Sequence, residues 1–482
     1  MTGESNGIGD LPESVHPVLT HIERNFGASL QRYLDFLRIP SISTDLAFEN
    51  EVERAAIWLR DYLDALGFSV TVHETPRHPI VVAHHASGLT DSPHLLYYGH
   101  YDVQPVDPLE QWTSPPFEPA LVEGPHGPRV VARGAVDDKG QVMTFLEALK
   151  AWKEVHGQFP AEITLLLEGE EECGSHSLPG FLDRHAGELR KADIVLVTDT
   201  NAWDIDTAAI TYRLRGLAYF EITIQGPSHD LHSGLYGGAA VNPINALTEI
   251  LGGLHNGGGR VQIPGFYDDV LEPSANEKAA LDALAFDDKA FLSEIGLQGT
   301  FGETGRTVPE RLWTRPTCDI NGIWGGYTGP GAKTVIASRA SAKLSCRLVP
   351  NQDPAKIAAS LEAYLRARAP SGCRVSVENF GGSPGVIVPI EGPFMQAARA
   401  GLADIFGRPA ALVGSGGSIP VVGLMKEKIG RESILVGFGL ADDRIHSPNE
   451  KFELKCLKNG ILSHAAILGR FGQLRKSENL TG

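Results

Sequence analysis

The chain has 482 residues, more than one hydrophobic core ordinarily serves, so two domains are expected. Its hydrophobic (42%) and charged (21%) fractions are those of an ordinary globular protein, and a formal charge of −17 argues against nucleic acid or an anionic membrane as partner. No window approaches the roughly 18 apolar residues of a membrane span. The first residues, MTGESNGIGDLPES, are polar and lack the apolar core of a signal peptide. The five cysteines (Cys173, Cys318, Cys346, Cys373, Cys456) are odd in number, scattered and without a C-x-x-C pair. They read as free thiols in a reducing compartment, which makes the cytoplasm the expected location.

In chain order, Leu19, Ile22, Phe26, Leu30, Tyr33 and Leu37 recur at three- and four-residue steps and predict an amphipathic helix that stops before Pro40. Val52, Ala56, Leu59, Leu63 and Leu66 predict a second, closed by Gly67. Short apolar runs at 69–72, 79–83 and 94–98 read as strands. A helix follows over 141–155, with Val142, Leu146, Leu149 and Trp152 on one side, and then two strands of a buried kind at 163–168 and 193–199. Alternation of this sort predicts an α/β domain with a mainly parallel sheet.

From about Leu214 the pattern changes to alternating strands. Phe220, Ile222 and Ile224 share one face, as do Ala342, Leu344, Cys346 and Leu348, opposite Lys343, Ser345 and Arg347. Helices near 243–252 and 355–367 lie among them, predicting an inserted α+β sandwich over 208–388. The chain returns to the first domain between the glycine-rich stretches 381–385 and 414–417, with a last strand at 433–439. The expected division is therefore 1–207, 208–388 and 389–482.

Four strands of the first domain run into His100 and Asp102, into Glu168 with Glu170–Glu172, into Asp199, and, after LADDR, into His446. Asp137 and Asp138 stand just before the helix at Gly140. Each spot alone has an ordinary reading: a surface histidine, a solvated acidic loop, a helix cap, a turn. The carboxyl ends of parallel strands share one edge, however, where the binding crevice of such folds lies. Two histidines and several carboxylates gathered there form a nitrogen-and-oxygen ligand set suited to zinc, manganese or cobalt. Crowding those carboxylates without a cation would cost several kcal/mol of repulsion. In an extended segment residues i and i+2 face the same way, so Asp102 can reach a ring nitrogen of His100 and orient it toward a metal. GYTGPGAKT and GSGGS lack the spacing and context of phosphate or dinucleotide loops, and no G-x-S-x-G elbow is present.

YYGHYDVQP, ARGAVDDKG, LLLEGEEECGS, VTDT and RIHSPNE resemble, in order, the motifs of the co-catalytic dimetal metallopeptidases, the family of aminoacylase, carnosinase-type dipeptidases and succinyl-diaminopimelate desuccinylase. HDLHSGLYGG, GAKTVI and CRLVP extend the resemblance into the inserted domain, which it casts as a lid and dimerisation domain. GHYDVQP and GGSIP place the carnosinase-like dipeptidases nearest.

The resemblance implies two divalent metal ions per subunit, zinc first with manganese or cobalt as alternatives. Asp137 would bridge them, His100 and Asp199 would hold one, and Glu172 and His446 the other. It implies Glu171 as general base and then acid, Asp102 as the partner of His100, and a cis Asp137–Asp138 bond. His232 would stabilise the oxyanion, arriving from the neighbouring subunit of a homodimer. Thr334, Arg347 and Ser418 would bind a substrate carboxylate. The activity implied is hydrolysis of dipeptides or short peptides with a free C-terminal carboxylate. An N-acyl or N-carbamoyl amino acid amidohydrolase on the same machinery is the alternative, and a non-catalytic metal-binding protein a third reading, against which the intact Glu171 speaks. Residues 375–385 contain no histidine where carnosinase-type members often carry one, which argues against carnosine itself.

Overall fold

The computed structural model describes residues 10–88 and 91–474. The chain divides into two compact units, one of Met1–Tyr212, Val388–Val413 and Leu424–Gly482, the other of Arg213–Ile387 and Gly414–Gly423.

The larger unit is built on strands β1 (Ser69–His73), β2 (Ile80–His85), β3 (His94–His100), β4 (Glu162–Glu168), β5 (Ile194–Val197), β6 (Ala209–Leu214) and β7 (Ser433–Gly437). They lie in the order β1-β2-β4-β3-β5-β7-β6 within a nine-stranded sheet. β4, β3, β5 and β7 are mutually parallel, while β1, β2 and β6 pair antiparallel at the margins. The sheet is thus parallel where it is buried on both faces: every residue of β3, β5 and β7 is buried.

Helices α1 (Val15–Leu37), α2 (Glu49–Ala65), α3 (Lys139–His156), α4 (Leu178–Leu189), α5 (Pro393–Phe406) and α6 (Leu454–Phe471) complete this unit. α3 packs against both α1 and α6, which leaves it buried nearly all round from Lys139 to Leu149. Phe145 of α3 stacks on Tyr97 of β3 with ring centroids 3.9 Å apart, and His464 of α6 meets both rings edge-on. Burying a side chain of this size contributes about 1.5–3 kcal/mol, so these contacts pin α3 to the middle of the sheet. The N-terminus of α3 is where Asp137 and Asp138 stand.

The second unit is a two-layer α+β sandwich. Its four strands lie in the order Thr317–Gly325, Arg339–Leu348, Gly216–Gln225, Arg374–Ser383, each antiparallel to its neighbour. Helices Pro243–Gly252 and Pro354–Arg368 cover one face, where Leu247, Ile250, Leu361 and Leu365 pack on Phe220, Ile222, Ile224, Leu344 and Cys346. Gly414–Gly423 belongs with this unit rather than with the first, so the chain enters this unit a second time after Val413.

Candidate metal centre

β3 ends on His100, which is buried. β4 ends on Glu168 and continues into a single 3-10 turn, Glu171–Cys173. Asp199 follows β5, and His446 sits in the loop between β7 and α6 at φ 62°, a left-handed conformation that L-residues rarely adopt. That loop is tied at both sides. Asp443 accepts from Leu440 N and pairs with Lys451 Nζ, while Asn449 Oδ1 accepts from Thr113 N and Oγ1 at 2.8 Å each.

These elements bring together two groups of donors that share one residue. His100, Asp137 and Asp199 offer ligand atoms within 4.8 Å of one another, and so do Asp137, Glu172 and His446. His100 Nε2 lies 3.1 Å from Asp137 Oδ1, and His446 Nε2 lies 3.0 Å from Asp137 Oδ2 and 3.2 Å from Glu172 Oε2. The two oxygens of Asp137 therefore face different histidines.

The acidic run of residues 168–172 separates by role. Glu168 is buried and bonded by Ser175 Oγ. Glu170 turns away, accepting from His78 N, Ser177 N and Thr75 Oγ1. Only Glu171 and Glu172 remain on the turn beside Asp137. Asp102 fixes that turn, because its carboxylate accepts from Glu172 N at 3.0 Å and Glu171 N at 3.3 Å. The same carboxylate lies 3.3 Å from His100 Nδ1. One buried aspartate thus orients a histidine of one group and the backbone of a glutamate of the other.

Three further residues support the site that pattern-reading missed. Glu450, fully buried, accepts from Gly134 N, Val136 N and Asp137 N and from Arg133 Nη1, so it holds the backbone that carries Asp137. Gln104 donates to Glu172 Oε2 at 2.7 Å. Gly99 leaves room for Asp138: a Cβ there would stand 2.6 Å from Val142 and 3.1 Å from Asp138 Oδ2. Asp138 Oδ2 accepts from His100 N at 3.2 Å, and the Asp137–Asp138 bond is cis. Glu450 lies within a quoted motif, RIHSPNE, but nothing in its local pattern announces partners more than 300 residues away.

Burial and mutual repulsion dominate the electrostatics. Burial, then the charge of Asp137, pushes Asp199 well above the usual carboxylate range, and burial with Asp199 does the same to Asp138. Burial also raises Glu171 to about 7, assisted by Glu172, Asp102 and Asp137 and opposed by His100. Hydrogen bonds to Asp137 and Glu172 raise His446 to about 10. Burial opposes charge on His100, yet Asp102 and Asp137 raise it well above the histidine range. Burial alone would raise Asp137, but hydrogen bonds from both histidines hold it below its ordinary value.

Protons on imidazole here do what a cation would do better. The donor set of two imidazoles and several carboxylates suits borderline divalent ions, and Asp138 Oδ1 is buried without a hydrogen-bond partner among the described residues. The residues fit a pair of such ions.

In the second unit, the backbone brings His232 and Thr334 side by side. His232 pairs with Val335 across a short antiparallel bridge, and Ser233 N donates to Thr334 O at 3.1 Å. His232 is exposed, and its Nδ1 accepts from Gly234 N. Arg347 Nη1 donates to Ser418 Oγ at 3.2 Å, and Ser418 Oγ donates to Arg215 O at 2.7 Å. Arg215, absent from the sequence reading, is lowered to about 10 by burial and by the positive charge of Arg347.

A family model described as Peptidase family M20/M25/M40 matches residues 96–470. Cys-Gly metallodipeptidase DUG1 of Candida albicans is 28% identical over 478 residues, 95% of this chain and 98% of the relative. The crystal structure of human carnosine dipeptidase 1 aligns at 27% identity with a TM-score of 0.77, over 95% of this chain and 100% of that one. M20 family metallo-carboxypeptidase Sso-CP2 from Sulfolobus solfataricus aligns at 31% identity with a TM-score of 0.81, over 92% and 99%.

Proposed function

This chain belongs to peptidase family M20/M25/M40, and we propose that it hydrolyses dipeptides bearing a free C-terminal carboxylate, with Glu171 as its proton carrier. It is a metal-dependent hydrolase of the carnosinase-like dipeptidase kind, with a small peptide as substrate. The observation that carries the assignment of roles is the sharing of Asp137 between two donor groups, with Glu171 next to a donor but outside both.

Two divalent cations, one held by His100, Asp137 and Asp199 and the other by Asp137, Glu172 and His446, would polarise the scissile carbonyl and acidify a water. The chain's own groups do the rest. Glu171 takes a proton from the attacking water and returns it to the departing amine, and the burial that raises its carboxyl favours service as base and then acid. The backbone carbonyl and the carboxylate of Asp102, 3.1 and 3.3 Å from His100 Nδ1, accept its proton, which leaves Nε2 as the ligating lone pair. The guanidinium of Arg347, which donates to Ser418 Oγ, and the neighbouring positive charge of Arg215 would satisfy a substrate carboxylate, Arg347 in a bidentate contact, and Thr334 adds a hydroxyl. His232 stabilises the oxyanion.

The finer reading is zinc as the native metal, with manganese or cobalt able to replace it, in a cytoplasmic homodimer whose inserted domain serves as lid and dimer surface. Among the described residues no helix is long and apolar enough to cross a membrane. The strand Thr317–Gly325, which among the described residues is an edge strand, exposes Ile320, Ile323 and Trp324, apolar side chains that a second copy would cover. His232 would then act on the neighbouring subunit's substrate.

The decisive experiment is Glu171→Gln assayed for metal content and turnover on a panel of dipeptides and N-acetyl and N-carbamoyl amino acids. Retained metal with kcat reduced by about a hundred- to ten-thousand-fold supports the assignment. Undiminished dipeptide turnover refutes Glu171 as the base, and faster acyl-amino-acid cleavage in the wild type moves the substrate to the amidohydrolase class.

A further inference from the structure

A second group of potential ligands lies at the far end of the same sheet. Strand register places it there. His94 opens β3 and pairs with Glu162, which opens β4, and His84 near the end of β2 pairs with Thr164. Glu162 and Thr164 are two residues apart on one strand, so they share a face, and their cross-strand partners stand on that face with them. His94 lies six positions before His100 on β3, which puts the group roughly 20 Å from the His100 end beside Asp137 at about 3.3 Å per residue.

The local geometry is that of oriented ligands. His94 Nδ1 lies 3.4 Å from Glu162 Oε1, and His84 Nε2 lies 3.9 Å from the same oxygen. The opposite nitrogen of each ring contacts one hydroxyl: Thr164 Oγ1 is 3.0 Å from His84 Nδ1 and 2.8 Å from His94 Nε2. One hydroxyl thus anchors one nitrogen of each ring and leaves the other two nitrogens directed at one carboxylate oxygen, the placement of ligand atoms around a single cation. With an ion bound, both liganding nitrogens present lone pairs, and the two lone pairs of the Thr164 hydroxyl oxygen accept from the opposite N–H groups.

We propose that His84, His94 and Glu162 form a third metal site, for a single zinc-class divalent ion completed by water, with Thr164 setting both imidazole tautomers. Tetrahedral zinc with bonds of about 2.0–2.1 Å brings its ligands roughly 3.4 Å apart, which the His94–Glu162 edge already matches. The longer edges belong to His84, whose side chain is 44% exposed and free to swing inward, whereas His94 is 3% exposed and Glu162 is 26% exposed. Two imidazoles and one carboxylate select zinc or cobalt over calcium or magnesium. The site is independent of the dinuclear centre, so it stands or falls separately from the peptidase reading.

The test is dialysis of the full chain against buffered free zinc up to the micromolar range, with metal counted by elemental analysis and dipeptide hydrolysis assayed in parallel. Wild type should hold one ion more than His84→Ala and Glu162→Gln, with hydrolysis unchanged in both variants. Thr164→Val should weaken this extra ion by about 10–100-fold while leaving its ligands in place. Cobalt substitution should give visible absorption of tetrahedral character in the wild-type-minus-His84→Ala difference spectrum. Equal metal counts in wild type and both variants would overturn the site, leaving an ordinary histidine–glutamate pair sharing a proton. Because the readout is a difference of one ion, it does not depend on how many the dinuclear centre retains.

Discussion

Asp102 and Glu450 stand outside both donor groups, yet each holds the backbone of a turn that carries donors. Asp102 receives the N–H groups of Glu171 and Glu172, and Glu450 receives that of Asp137 together with two neighbours. An amide at either position keeps the shape but replaces one acceptor oxygen with a donor aimed at backbone N–H groups. Supporting partners of metal ligands typically contribute 10–100-fold in affinity. Asp102→Asn and Glu450→Gln should therefore each weaken metal binding by about that factor, with activity largely regained at high metal concentration. Activity titrated against free metal checks this; a fall in kcat that metal does not rescue would mean a role in the chemistry instead. The Asp102–His100 contact was legible because both lie on one extended segment, whereas Glu450 depends on a pairing across 313 residues that no local pattern encodes.

At the scale of elements, periodicity located α1, α2, α3 and the parallel strands, because each buries a regular stripe or a continuous apolar run. It passed over α6, whose buried residues extend without a break from Gly460 to Phe471 and so show no amphipathic period. It also passed over the antiparallel placing of β2, since a half-buried marginal strand reads the same in either direction. α6 carries His464, enclosed at 0% exposure, with Nδ1 3.0 Å from Thr144 Oγ1 and Nε2 3.2 Å from Thr198 Oγ1. Burial lowers its pKa from 6.5 to about 3. Above pH 6.5 the ring is neutral in folded and unfolded chains alike, and no penalty arises. Between 6.5 and 3 only the unfolded chain takes up the proton, so stability falls as pH falls, by about 1.4 kcal/mol per unit. At pH 5 this amounts to roughly 2 kcal/mol. His464→Gln removes the titration, so its stability relative to wild type should improve by about that amount between pH 7 and pH 5 in urea melts. A constant difference across this range would show that His464 does not set the acid sensitivity.

For the whole molecule, the larger unit collects its donors from five separated stretches of chain, and only the sheet makes them neighbours. That dependence explains why the donor set could be anticipated from strand ends, while Arg215 could not: it meets Arg347 and Ser418 through the return segment Gly414–Gly423. It also couples metal binding to folding, since an unfolded chain offers no assembled site. The folded unit confines Asp137, Asp138, Asp199, Glu171 and Glu172 beside His100 and His446, and burial with mutual repulsion raises most of these carboxylates. Cations relieve this repulsion in the folded state alone. At a free metal concentration a thousand-fold above Kd, binding stabilises by about 4 kcal/mol per independent site. Stripping with a chelator should therefore abolish hydrolysis and lower the melting temperature of the larger unit by on the order of 10 °C. Zinc, manganese or cobalt added back should restore both together, and calorimetry with parallel assays follows the recovery. Loss of hydrolysis with an unmoved melting transition would mean that the carboxylates are balanced without metal, and the coupling of this site to the fold would be wrong.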